Sequence, residues 1–236
     1  MSIIKINYHQ LIGDDLTSPF SLDGVGFEPE LVYNSVSKNV IYQKCPAWKH
    51  KSTRTFLIKS PVDIDLYVDF ENQRLYSENL NQYQFDQYCQ PTFLDGWCTT
   101  EKTTIQLSIP RFIFWTKQKN IWIETRPHFN TVLKNNLTAI SGWFNLSSWT
   151  RPIGVDFEVV DIVKPIIIKR GDPLIEISFF SKNLDDGVLL KKSFPSQKLI
   201  EQIDKQDNVK KYIKDYSNSF MFKNKKSKCP FEFLWK

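Results

Sequence analysis

The sequence predicts a mainly β fold, a single β-sandwich or a β-clip or jelly-roll-like domain with one C-terminal helix. Three observations carry that expectation. Apolar residues recur at every second position through much of the chain, Gly and Pro interrupt these runs at short intervals, and helical spacing is found near the end alone. A composition of 41% hydrophobic and 14% aromatic residues over 236 positions leaves ample material for a core. The spacing of strands and turns corresponds to roughly ten strands.

Residues 1–40 hold a first strand in "SIIKINYHQLI". A passage punctuated by Gly13, Pro19, Gly24, Gly26 and Pro29 follows, a loop-rich segment expected to wrap the domain. Next, Phe56-Leu57-Ile58 and the alternation of Ile64, Leu66 and Val68 with Asp63, Asp65, Tyr67 and Asp69 read as two strands joined by a bend at Ser60-Pro61. Residues 75–104 are polar and aromatic, with a turn signal at Asp95-Gly96, and read as a long loop of the kind that carries sites on β scaffolds. Ile105, Leu107 and Ile109 then alternate. Phe112 to Trp115 is expected to pair with Ile121-Trp122-Ile123 as a hairpin across Lys117 to Asn120.

Thr138 to Phe180 reads as three successive strands. Ile153, Val155, Phe157 and Val159 alternate with Gly154, Asp156 and Glu158, so Glu158 points away from the core. The β-branched run Pro165 to Ile168 stops at the corner Lys169-Arg170-Gly171-Asp172-Pro173, where Gly171 can take φ > 0 and Pro173 holds Asp172 extended. Ile175, Ile177 and Phe179 mark the face of the next strand.

After Phe180, "SKNLDDGVLLKKSFP" reads as a connector, and residues 196–219 read as a helix. Leu199, Ile200, Ile203, Val209, Tyr212, Ile213 and Tyr216 lie on one face, Ser196 is the N-cap, and Gln206 and Asp207 break the stripe. The organisation is thus a β domain over 1–190 and a basic tail over 191–236. That tail holds 12 lysines against 5 acids, a balance of +7, whereas the first 190 residues carry −2. Lys210, Lys211 and Lys214 on the helix are candidate contacts to an acidic partner or nucleic acid, beside the commoner reading of a solvated lysine face. Phe231, Phe233 and Trp235 at the end are expected to dock onto the domain or a neighbouring copy.

Several classes are excluded or disfavoured. No run of about 18 apolar residues is present and the start of the chain lacks a charged region followed by a long apolar one, so a soluble, unsecreted protein with no membrane partner is expected. Cys45, Cys89, Cys98 and Cys229 form no closely spaced pair and read as reduced thiols. His9, His50 and His128 are far apart, which leaves no metal site and no cofactor. There is no glycine-rich phosphate loop. Cys45 beside Pro46 and near His50 reads as a buried structural thiol rather than a nucleophile. Asp63, Asp65 and Asp69 read as guards on an exposed strand rather than cation ligands. The patch Trp48, Lys49, His50, Lys51 and Arg54 lacks the repeated aromatics of a single-strand binder.

Two resemblances add to this. Lys44-Cys45-Pro46-Ala47, the strand with spaced aspartates, "IPRFIFWTKQKNIWIETRPHF" and Gly171-Asp172-Pro173-Leu174 resemble, in that order, an uncharacterised family found in genomes of tailed phages, many of them marine. The resemblance implies a location in the virion or the cytoplasm of an infected host cell. Thr138-Ala139, Gly142-Trp143, Phe157-Glu158, Pro165 to Ile168, Gly171 and Ile177 to Phe179 resemble the latter half of the dCTP deaminase and dUTPase group, whose β-clip subunits form trimers. That likeness implies Glu158 as the general base that activates water, without a metal.

Three functional readings follow. The first is a non-enzymatic phage-type accessory or virion-associated protein that self-associates as a homo-oligomer and binds a partner. The second is a β-clip nucleotide enzyme acting on dCTP or dUTP through Glu158. The third is a jelly roll that binds carbohydrate or another small ligand on stacking platforms at Trp97, Trp115, Trp122 or Trp149. The balance leans away from an enzyme.

Overall fold

Alternation decides which side of each strand is buried. Ile4, Ile6 and Tyr8 are buried in the first strand, and Ile153, Phe157 and Val159 are buried in a later one. The computed structural model describes residues 2–11, 27–35, 41–69, 71–72, 74–90 and 103–203. Its early elements are β1 (Ile3–Leu11), β2 (Glu30–Leu31), α1 (Val32–Ser35), a 3-10 turn (Ile41–Lys44), α2 (Pro46–Ser52), β3 (Thr55–Lys59), β4 (Ile64–Asp69), β5 (Arg74–Tyr76), α3 (Gln82–Tyr88) and β6 (Cys89–Gln90). There follow β7 (Thr104–Trp115), β8 (Trp122–Pro127), α4 (Phe129–Asn135), β9 (Leu137–Ala139), β10 (Gly142–Asn145), β11 (Pro152–Val159), β12 (Ile166–Ile168), β13 (Pro173–Phe180) and β14 (Gly187–Lys192).

The strands form three sheets. A six-stranded sheet runs β14-β1-β7-β11-β9 with β6 also on β7, a five-stranded sheet runs β10-β8-β13-β3-β2, and a three-stranded sheet runs β12-β4-β5. Tyr8, Phe112, Phe114 and Phe157 of the first sheet and Phe56, Ile123, Ile177 and Phe179 of the second belong to one core. Phe114 and Phe179 meet there with ring centroids 5.5 Å apart. This is the mainly β sandwich that the alternation predicts.

The glycine corner forms as expected. Gly171 sits at φ +87°, and its N–H donates to the Ser60 carbonyl at 2.8 Å. Asp172 is buried, accepting from Lys134 Nζ at 2.6 Å, from Asn135 Nδ2 at 2.9 Å and from the Lys169 N–H at 2.9 Å. Its own N–H donates to the Lys169 carbonyl at 2.9 Å, so the corner is closed from both sides.

Other expectations are corrected. β7 and β8 do not make a hairpin: β7 pairs with β1 and β11, and β8 with β10 and β13. The reason is that both edges of β7 around Phe112 and Ile113 are already taken, and β8 serves the core from the opposite layer. Asn120 at φ 59° helps turn the chain between layers, and the Ile121 N–H finds Ser147 Oγ at 2.8 Å. Residues 105–115 belong to one long strand. The stretch from Thr138 to Phe180 contributes β9 through β13, because Leu137–Ala139 and Gly142–Asn145 make short strands of their own. The supposed connector contains β14, parallel to β1, with Val188 and Leu190 packed against the core.

The stretch expected as a long loop begins inside β5 and then holds α3 and β6. Asn81 accepts from the Gln84 N–H at 2.9 Å while the Gln84 side chain accepts from the Asn81 N–H at 3.1 Å, a reciprocal helix start. Cys45 is exposed rather than buried. It precedes Pro46 as the extended residue that begins α2, a position that faces solvent. The helix expected over 196–219 is described for residues 197–203, where Leu199 N–H donates to Ser196 Oγ at 3.3 Å and Ile203 is buried. Residues 204–219, Asp95-Gly96, Cys98 and Cys229 lie outside the described residues. Among the described residues, no helix is long and apolar enough to cross a membrane.

Candidate functional site

The outer face of the five-stranded sheet brings aromatic and charged side chains together. Ile123, Ile177 and Phe179 point into the core, so the residues between them point out. Directly opposed residues share a face. Trp143 stands opposite Glu124 and Asn145 opposite Trp122, and on the other side of β8 Glu124 stands opposite Ser178, Arg126 opposite Glu176 and Trp122 opposite Phe180. Trp122 and Trp143 meet with centroids 5.6 Å apart and planes tilted by 44°. Trp143 is 65% exposed, at the open edge of the sheet.

Arg126 organises the polar part of this face. Its Nε donates to Glu176 Oε2 at 3.0 Å, and its Nη1 lies 4.0 Å from Glu124 Oε2. Its Nη2 lies 3.4 Å from Ser178 Oγ and 3.5 Å from Thr55 Oγ1, two hydroxyls that are 2.8 Å from each other. Ser178 and Thr55 are buried, so Arg126 lies over them. Towards β3 the face is covered by α1 and α2, which pack on that strand. At the far end of β8, burial lowers the His128 imidazole below its ordinary value, against the opposing pull of Glu176. The open half therefore offers an indole pair beside a carboxylate, a guanidinium and an amide.

The candidates expected from sequence fall in separate places. Trp122 belongs to this face. Trp115 is half-buried at the end of β7 in the other sheet. Trp149 is buried, edge-on to Phe144 at 5.3 Å with the Arg151 guanidinium 4.9 Å from its ring, which makes it a core residue rather than an accessible platform. Trp97, Lys210, Lys211 and Lys214 lie outside the described residues. Glu158 is half-buried on the outer side of the six-stranded sheet, opposite Thr104 on one neighbour and Thr138 on the other. It is thus on a different sheet from the indole pair.

The other constellations resolve into structural roles. Asp65 Oδ1 accepts from Ser77 Oγ at 2.7 Å and from the Asn79 N–H at 3.1 Å. Asp69 holds Asn72 and Arg74, and Asp63 accepts from the Arg170 N–H at 2.6 Å. The three aspartates therefore fasten three different turns. No cluster able to hold a metal ion is found among the described residues. In the basic patch, Arg54 is buried and its Nη2 donates to the Leu184 and Asp186 carbonyls, while Trp48 packs between Tyr33 and Tyr42. Trp143 and Arg126 are not among the binding residues expected from the sequence. Their signal was the alternation itself, which puts Trp122, Glu124 and Arg126 on one face.

Fold and face define a β-sandwich with an aromatic and charged surface at one sheet edge. No protein-family model matches the chain, and no curated protein matches it in sequence. Among solved structures the fold is similar to the native dUTPase of EIAV, with a TM-score of 0.35 and 9% identity over 81% of this chain and 98% of that one. It is also similar to a mutant dUTPase from phage phi11 of S. aureus, with a TM-score of 0.31 and 9% identity over 72% of this chain and 95% of that one. A third is a mutant dUTPase of Staphylococcus bacteriophage 80alpha with dUpNHpp, at a TM-score of 0.32 and 8% identity over 72% and 87% of the two chains.

Proposed function

We propose that this chain is a non-enzymatic, phage-type accessory or virion-associated binding protein that takes a polyhydroxylated ligand, a glycan, on the open half of the five-stranded sheet. The observation that carries the reading is the Trp122–Trp143 pair, with ring centroids 5.6 Å apart, Trp122 half-buried and Trp143 exposed, beside Glu124 and Arg126. An indole covers the C–H face of a sugar ring, and carboxylate, guanidinium and amide groups next to it satisfy the hydroxyls at the rim. The ion pairing of Arg126 with Glu176 holds the guanidinium in place before a ligand arrives, which lowers the ordering cost of binding. Titrating a glycan panel while following tryptophan emission tests this. Saturable quenching that disappears in Trp143→Ala is expected, and no response to any glycan overturns the reading.

A second reading concerns Glu158, a half-buried carboxylate flanked by the threonines opposite it. In that reading it activates water against a deoxynucleotide base. Turnover of dCTP or dUTP that vanishes in Glu158→Ala would support it, and an absence of turnover with every deoxynucleotide removes it.

A further inference from the structure

The open half of the five-stranded sheet is acidic in a basic chain. The outward positions of β10, β8 and β13 carry two carboxylates, Glu124 and Glu176, and one guanidinium, Arg126. Their balance is −1, where the whole chain carries +5. The two acids differ in what they hold. Glu176 Oε2 accepts from Arg126 Nε at 3.0 Å, and Arg126 Nη2 lies over the Thr55 and Ser178 hydroxyls. The guanidinium is thereby committed to the covered half of the face. Glu124 meets it at 4.0 Å, past hydrogen-bond reach, and keeps a side chain that is 34% exposed.

This surplus carboxylate stands beside the indole pair. Trp143 is directly across the β10–β8 pairing from it, and Trp122 is two positions along the same strand. The Cβ atoms of both tryptophans therefore lie about 5–7 Å from that of Glu124. An indole face attracts a cation through its quadrupole, and a carboxylate at its edge adds a charge-assisted hydrogen bond. A neutral hydroxyl leaves the surplus charge in place, whereas an ammonium compensates it. Across from Trp122 stands Asn145. Its Oδ1 accepts from the Ser147 N–H at 3.0 Å, so its Nδ2 is the group left to donate. Trp122 thus has an acceptor for a cation along its own strand and a donor for an oxygen on the neighbouring one.

We infer that the ligand of this face is an amino sugar with a free, protonated amine. The ammonium donates to Glu124 against the two rings, and a hydroxyl of the same sugar accepts from Asn145. The inference rests on the glycan reading above and narrows it. A lysine side chain offers the cation without a second polar group and leaves Asn145 unused, and a sugar acid brings its carboxylate against Glu124.

Calorimetric titration of the full chain with matched oligosaccharides tests this, using a glucosamine tetramer, the same tetramer N-acetylated, and a glucose tetramer, at a pH that keeps the amines protonated. N-acetylation removes the charge and keeps the sugar ring. The glucosamine tetramer should bind at least about tenfold tighter than either neutral one, and Glu124→Gln, which keeps the shape of the side chain, should bring all three within about twofold of one another. Circular dichroism and thermal melting check that the variant folds; should it not, the wild-type comparison decides alone. Equal binding of the amino and acetylated tetramers, or a preference that survives in Glu124→Gln, overturns the amine assignment and leaves the glycan reading standing. A lysine tetrapeptide that binds as tightly as the amino sugar overturns it too. Binding of none of the sugars overturns both readings.

Discussion

Trp143 faces Glu124 directly across the β10–β8 pairing, while its ring centroid lies 5.6 Å from that of Trp122, two positions along β8 on the same face. The contact is made on the outside of the sheet, where Trp143 supports nothing beneath it. Trp143→Ala should therefore change folding stability by no more than about 0.5 kcal/mol while abolishing ligand-dependent quenching. Trp149→Ala is the contrast: that ring is buried against Phe144, so its removal should cost about 3–5 kcal/mol. Urea denaturation of the two variants separates the roles. Equal losses would show that Trp143 is structural.

Gly171 is the single described glycine at positive φ, at +87°, and an added methyl group would also come 3.4 Å from the Phe27 ring. Gly171→Ala should destabilise by about 1–2 kcal/mol, from the left-handed backbone alone. Gly187→Ala, where an added Cβ meets nothing within 4 Å, should stay close to wild type. Denaturant midpoints with unchanged slopes would verify both.

Acid should loosen the same corner. Burial pushes the Asp172 carboxyl upward, but hydrogen bonds from Lys134, the Lys169 N–H and Asn135 outweigh it and hold the group below its ordinary value. A carboxylate depressed in the folded state contributes stability above its unfolded value of about 3.9, and that contribution is lost as pH falls through the folded value. Stability from this group should thus be level between neutral and about pH 5 and decline below about pH 4. Asp172→Asn should be less stable at pH 7 and lose less on acidification. Asp69, Asp161 and Asp186, also held low, keep some acid sensitivity in that variant. Parallel acid limbs in wild type and variant would rule Asp172 out.

Thiol chemistry distinguishes the two described cysteines. Burial pushes the Cys89 thiol up to about 12, leaving roughly one part in ten thousand as thiolate at pH 8, whereas Cys45 is exposed. In a chain with Cys98→Ser and Cys229→Ser, a disulfide reagent should modify one thiol in the native state and two after unfolding. Rapid modification of both without denaturant would contradict the packing of β6 on β7.

Much of the fold was legible because alternation is a local property. Ile153 to Val159, the burial of Ile175, Ile177 and Phe179, and the Gly171 corner all depend on residues within a few positions of one another. Strand partnership does not. The sequence from Phe112 to Ile123 has hairpin spacing, yet Tyr8 and Ile153 flank the sheet that takes up the edges of β7, and neither is near in sequence. The reciprocal Asn81–Gln84 cap was readable in principle but hidden in a polar context. Trp143 and Trp149 are six positions apart and opposite in burial, because one lies on an edge strand and the other tucks under Phe144 after a turn. Residue type gives no sign of that difference.

The parallel pairing of β1 with β14 has a consequence for how the chain is made. Ile3 to Tyr8 find partners at Gly187 to Lys192, nearly the whole length of the domain later. During synthesis the first strand leaves the ribosome long before either of its neighbours, and its apolar side must wait for them. Closing so large a loop is slow, so this sheet is expected to be completed late in folding. Until β14 arrives, one edge of β1 stays without its hydrogen-bonding partner.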